Sequence, residues 1–355
     1  MSVGTRETIR VLVCSAGSDG DGIVDIELAA DGTVTERTRV HATNPAFLSV
    51  HPDGKSLYTV ERSAGGRLVA YRLNGGCGDL SRLNDRSSEG DAPCYVSVDA
   101  TGRYAFVANY GGGTVAAFPI ESDGRVGEAS DVVHHEGTGP DQDRQSAPHP
   151  HAIEPGPRNR FCYAPDLGTD GIAIYRPDAD TGELKAVEMG PATARAGAGP
   201  RQIAFHPTGP VCYVVDELES TVSEFRRDPE SGALTAVGRT STLPSGAELD
   251  GDNAPAAVSV HPSGRRVYVS NRGHDSIAVF AVDRASGSLE RVGHESTCGE
   301  TPRDIALSPG GDVLLAANQH GDSLVVFAID GDGRLDARAE LAVPKPVCVT
   351  VLDPR

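Results

Sequence analysis

The chain has 355 residues, 38 % of them hydrophobic, with no Trp, 42 Gly and 24 Pro. That length is large for one hydrophobic core, and the Gly and Pro content suits short strands and turns. A formal net charge of −18 repels phosphate backbones and anionic lipids, which argues against nucleic acid and membranes as partners.

Three runs at residues 9–14, 22–28 and 32–36 read as strands. From Pro45 on, one unit recurs: a proline opens an alternating apolar run, a tight turn follows, and a second run leads out of it. The turns are His51-Pro52-Asp53-Gly54, Asp99-Ala100-Thr101-Gly102, Glu154-Pro155-Gly156-Pro157, His206-Pro207-Thr208-Gly209, His261-Pro262-Ser263-Gly264 and Ser308-Pro309-Gly310-Gly311. Pro at the second place and Gly at the fourth favour a type I turn. Around His261 the whole unit is legible. Runs 257–261 and 266–270 flank the turn, 276–282 is a third, residues 283–287 turn again, and a weaker fourth begins at Ser288. Four strands joined by short turns make one propeller blade.

The entries are Pro45, Pro93, Pro148 or Pro150, Pro200, Pro255, Pro302 and Pro346, about 50 residues apart, as propeller units are. After Pro346 one strand follows, at 347–352; with the three at the front it makes up a seventh blade. The expected fold is all-β: a single seven-bladed β-propeller over 1–355, with four-stranded antiparallel blades. The C-terminal strand joins the N-terminal strands as the innermost one and closes the ring, leaving no free edge.

Seven Cys, at 14, 77, 94, 162, 212, 298 and 348, form no CxxC pair and lie mostly in apolar runs. They read as free thiols of a reducing compartment. No run is long enough to span a membrane and the N-terminus has no signal-peptide apolar region, so the expectation is a soluble cytoplasmic protein. Monomer is the default for a closed ring, with a dimer as the alternative. The acidic excess either simply solubilises the surface or suits a salty interior.

In such a meander the Pro-Gly turns share one face. The loops between second and third strands share the other with the blade entries. His51, His206 and His261 repeat within the turns and read as scaffold. The opposite face departs from the repeat, and function concentrates in irregular polar loops on a rigid frame. There His151, Arg201, Glu217 and Arg272 are the catalytic candidates, and His149, Arg303, Asn109, Tyr110, Asp166, Asn271 and Asn318 the substrate contacts. Arginine forks from several blades suit a carboxylate or phosphate. Glu217 beside them is either a general base or a salt-bridge partner. His149-Pro150-His151 offers two ligands where a metal needs three or four, so no metal is expected. Gly111, Gly112 and Gly113 open no helix, which argues against a nucleotide. The loop over 133–151 holds four of the eleven His and is expected to act as a lid.

These segments resemble the seven-bladed lactonases, which include one type of bacterial 6-phosphogluconolactonase and the fungal carboxy-cis,cis-muconate cyclase. The matching stretches spread over nearly the whole chain: residues 107–113, 148–152, 165–168, 200–207, 215–218, 268–272 with 276–277, and 302–303 through 317–319. The resemblance implies a site of His151, Arg201, Glu217 and Arg272. It also implies hydrolysis of a sugar lactone, 6-phosphoglucono-δ-lactone to 6-phosphogluconate in the pentose phosphate pathway, with no metal or organic cofactor. His151 or Glu217 would be the base, one of Arg201 and Arg272 would stabilise the oxyanion, and the other, with Arg303, would hold the phosphate. A lactonizing cycloisomerase acting on a carboxymuconate needs the same arginines, and a non-catalytic binding propeller is the third reading. Asp216 departs from the family, where Asn often precedes the Glu, and an extra carboxylate there would weaken binding of a phosphate dianion.

Overall fold

Alternating strands that turn every few residues can bury their apolar faces only against copies of themselves. The computed structural model describes residues 8–16, 22–29, 32–63, 65–73, 80–247, 249 and 251–352, and Cys77 lies outside them. Among these residues the strands form seven antiparallel sheets. Blades 1 to 6 follow the chain over 45–87, 93–134, 150–193, 200–241, 254–296 and 302–342. Blade 7 orders the C-terminal strand Pro346–Leu352 before Ile9–Ser15, Gly22–Leu28 and Val34–Val40. Val11, Leu12 and Val13 pair with Val351, Thr350 and Val349, so the ring closes as expected.

The core is distributed. Seven apolar clusters each fill the gap between one pair of neighbouring blades. Each second strand feeds two of them, because side chains alternate between faces. In blade 5, Val267 and Val269 face blade 4, whereas Tyr268 faces blade 6. A chain of 355 residues thereby escapes the limit on a single core.

Two polar staples repeat between blades on the turn face. His51, His206 and His261 each set Nε2 against the carbonyl of the next blade's turn glycine, Gly102, Gly264 and Gly311, at 2.8–3.0 Å. The hydroxyls of Tyr58, Tyr163, Tyr213 and Tyr268 donate to Gly124, Gly232, Gly287 and Gly333 in the next blade's outer turn. Tyr213→Phe strands the buried Gly287 carbonyl and is expected to lower the unfolding free energy by about 1–2 kcal/mol. A urea titration checks this, and an unchanged midpoint would deny the staple any weight.

Blade 3 departs from the regular unit. Its inner strand pairs only at Glu154–Pro155, with a further bridge from Pro150 to Asp166, so Pro150 is the entry. Glu154-Pro155-Gly156-Pro157 is not a turn of the repeating kind, because Glu154 and Pro155 still pair with Tyr163 and Cys162. The chain reverses later, through a 3-10 turn at Pro157–Asn159. This motif carries Gly at the third place rather than the fourth, where Gly54, Gly102, Gly264 and Gly311 take the left-handed conformation. The outer edge of the blade is split between Leu184–Ala186 and Ala192–Thr193. No helix of the described residues is long and apolar enough to cross a membrane.

Candidate active site

A backbone irregularity makes the site. In six blades the inner ladder slips just after the entering proline, leaving one extra residue against the second strand. A bulge re-aims a side chain out of the ladder. The residues after those prolines are Ala46, Cys94, Arg201, Ala256, Arg303 and Val347, and in blade 3 His151 follows Pro150. At the end of the second strand, or one residue before it in blade 5, every blade carries a buried polar residue: Ser15, Glu61, Asn109, Asp166, Asp216, Asn271 or Asn318. The next residue is Ala16, Arg62, Tyr110, Leu167, Glu217, Arg272 or Gln319. These two positions, repeated sevenfold, surround the mouth of the channel.

At the mouth, Glu217 is the hub. Its Oε2 lies 2.7 Å from Arg272 Nη2 and 3.1 Å from Arg201 Nε, and its Oε1 accepts from Arg144 Nη2 at 2.7 Å. The Arg201 contact is off the line of a hydrogen bond and is purely an ion pair. Burial pushes the Glu217 carboxyl up, but Arg272, Arg201 and Arg144 more than reverse that and hold it well below the ordinary carboxylate range. Burial, then Arg272, bring Arg201 down to about 10. Arg201 also donates to the Ala256 carbonyl, and Arg272 Nε to that of Ala254 at 2.9 Å.

His151 is 8 % exposed. Burial, then the charge of Arg201, push its pKa well below the usual 6.5, which leaves a neutral imidazole near pH 7. Cys94 Sγ lies 3.8 Å from its Nδ1 and donates toward its carbonyl at 3.4 Å. Burial raises the Cys94 thiol above its ordinary value, so it stays protonated and is no nucleophile. Among the described residues no protein atom hydrogen-bonds His151 Nε2. The Tyr110 ring presents its face to His149, with centroids 4.4 Å apart, and stands edge-on to His151 at 5.4 Å. His149 is held by its Nδ1 on the Tyr110 carbonyl at 2.8 Å and by its backbone N–H on Asp166.

The structure therefore brings together His151, Arg201, Glu217, Arg272, Arg303, His149 and Tyr110. It does not bring in Asn109, Asn271, Asn318 or Asp166. The three asparagines are fully buried and their amides donate to Ser88, Thr242 and Thr297 carbonyls, pinning the connection into each blade. Asp166, 1 % exposed, accepts from His149 and Gly168 backbone N–H groups and contacts His135 Nδ1 at 2.6 Å. The three asparagines thus lie beneath the mouth, and Asp166 borders a separate cavity on blade 3 instead. Asp216 is no extra mouth carboxylate either: it turns inward to the Thr221 and Ser223 hydroxyls, and burial raises it to about 7. The loop over 133–151 is strapped down rather than open, since the fully buried Gln145 amide donates to the Leu167 carbonyl and to Asp170. Gly112 sits where a Cβ would lie 2.7 Å from the Asp91 nitrogen, so the glycines serve a close backbone approach.

Sequence reasoning missed Arg62, Arg144 and Cys94. Arg62 and Cys94 occupy the two repeated positions, and aligning the blades on their entering prolines finds both. Arg144 comes from the irregular loop and carries no such signal. A larger cavity of about 340 Å³ lies apart from the cluster, on blade 3, lined by residues including His135, Tyr175, Val187 and Pro191. None of the mouth arginines borders it.

The family description "Lactonase, 7-bladed beta-propeller" matches residues 2–351. The chain belongs to this lactonase family. A 6-phosphogluconolactonase of Bacillus subtilis is 35 % identical over 337 residues, 94 % of this chain and 95 % of the relative. One of Pectobacterium carotovorum is 32 % identical over 76 % of this chain and 77 % of its own. Among solved structures, the periplasmic gluconolactonase of Pseudomonas aeruginosa superposes with a TM-score of 0.91 at 31 % identity, covering 98 % of this chain and 99 % of the other. This propeller lactonase thus shares nearly its full length with relatives named for phosphorylated and for unphosphorylated lactones.

Proposed function

We propose that the protein hydrolyses a sugar lactone, 6-phosphoglucono-δ-lactone, to the open carboxylic acid, a step of the pentose phosphate pathway. The observation that carries this reading is the neutral His151 beside two arginines that Glu217 holds in place. An ester carbonyl needs a base for water and cations for the oxyanion, and this mouth offers both.

Both Glu217 oxygens are occupied by arginines, which drains their basicity. The base is therefore His151, and Glu217 positions the cations. In the tautomer that turns Nδ1–H to the Cys94 sulfur, His151 Nε2 is the bare nitrogen. It takes a proton from water as the oxygen bonds to the lactone carbonyl carbon. The tetrahedral oxyanion forms against Arg272 and Arg201, whose Nη1 and Nη2 respectively are uncommitted to described residues. The ring C–O bond then breaks, the leaving oxygen recovers the proton from His151, and the new acid ionises. Water is consumed and one proton is released to solvent per turnover. No metal or organic cofactor takes part, because a lactone is already an activated ester. The substrate is a small anion, the protein acts as a monomer, and the free thiols of Cys14, Cys94, Cys162, Cys212, Cys298 and Cys348 suit the cytoplasm.

Proton release on mixing with freshly generated 6-phosphoglucono-δ-lactone tests this. Acid production far above the spontaneous rate is expected, with Arg272→Ala reduced about 10²–10³-fold, the scale of one oxyanion donor. A rate equal to buffer alone would overturn the lactonase reading, and an undiminished Arg272→Ala would remove that arginine from the site.

A further inference from the structure

The mouth holds five arginines and their balance is uneven. Arg144, Arg201 and Arg272 share Glu217. Arg62 and Arg303 have no carboxylate partner among the described residues. The Arg62 Nε reaches only the Pro93 carbonyl, at a long 3.4 Å. Together they border a cavity of about 70 Å³ where blades 6, 7 and 1 meet, walled otherwise by Ala16, Asn44, Pro45, Ala46, Gln319 and Val347. That space takes several waters or one small anion. Burial, then Arg201, Arg272 and Arg62, bring Arg303 down to about 9: the cations crowd one another with too little negative charge to relieve them. Unpaired guanidinium groups held half-buried are costly, and a doubly charged anion offsets that cost best.

We propose that Arg62 and Arg303 form the pocket for the substrate's phosphate group, and that this pocket makes the enzyme prefer a phosphorylated lactone to the plain sugar lactone. The inference rests on the lactonase reading and deepens it. Two forks approaching from blades 1 and 6 match the tetrahedral spread of phosphate oxygens better than a planar carboxylate. The neighbouring Ala46 and Val347 leave room and bring no competing carboxylate. Arg201 and Arg272, already committed to Glu217, are left to the carbonyl end. A substrate would then lie across the mouth, its lactone at blades 3 to 5 and its phosphate at blades 6 and 1.

The experiment compares 6-phosphoglucono-δ-lactone with glucono-δ-lactone, using the wild type, Arg62→Ala and Arg303→Ala. Each substitution is expected to lower the ratio of kcat/KM values, phosphorylated over plain, by about tenfold or more, mainly through KM of the phosphorylated substrate. Equal losses on both lactones, or no loss on either, would overturn the pocket. Calorimetric titration with inorganic phosphate and with 6-phosphogluconate provides a second readout that needs no catalysis. Wild-type binding that both variants lose supports the pocket even if neither lactone is turned over, in which case only the lactonase reading falls. No phosphate binding to the wild type overturns the pocket itself. Melting temperatures at or above that of the wild type are expected for both unliganded variants, since each loses an unpaired cation. A marked fall would assign the two arginines a structural role instead.

Discussion

Removing residues 346–355 is expected to unfold the whole propeller. The strand Pro346–Leu352 is the innermost of blade 7 and pairs with Ile9–Ser15 along its length. Val347, Cys348 and Val349 are at most 6 % exposed. Burial of such side chains contributes about 1.5–3 kcal/mol each. Together that approaches the total stability of a typical domain, about 5–15 kcal/mol. The deletion also opens the clusters shared with blades 6 and 1, and leaves the inner edge of Ile9–Ser15 unpaired inside the ring. Circular dichroism and a melting curve of the truncated chain check this. An unchanged melting temperature would mean that six blades close without the seventh's inner strand.

His151→Gln is expected to lower kcat/KM by about 10²–10⁴-fold with the fold intact, the loss typical of a general base. The pH profile should identify the same residue. The pKa of His151 is depressed in the folded enzyme. Its neutral, proton-accepting form therefore persists below pH 6.5 and is lost only as pH falls through the lowered value. The acid limb of the wild-type kcat/KM profile is expected well below 6.5 and should vanish in His151→Gln. A limb at the ordinary histidine value, or one unaltered by the substitution, would place the base elsewhere.

Of the site, the sequence held more than a residue-by-residue inspection extracts. His151, Arg201, Glu217 and Arg272 stood out because they depart from the repeat at the channel mouth. Asn109, Asp166, Asn271 and Asn318 looked equally suitable by residue type, yet a polar side chain recurs at that position in all seven blades. Recurrence marks scaffold there as surely as it does for His51, His206 and His261. The same comparison one residue later separates Arg62, Glu217 and Arg272 from Ala16 and Leu167.

What the sequence determined by itself was the architecture. Pro entries, Pro-Gly turns and apolar alternation are local signals, each set by the conformational limits of a few neighbouring residues, and their sevenfold recurrence leaves one way to bury the apolar faces. Ring closure followed from counting strands. Tertiary structure decided the electrostatics. Glu217 meets Arg144 from a loop 73 residues away in sequence, Cys94 meets His151 across a blade boundary, and Arg62 and Arg303 meet across the closing seam. Those encounters depend on which side chains the bulges turn toward a shared axis, and a charge's protonation depends on burial and on neighbours in space. Neither is written in the spacing along the chain.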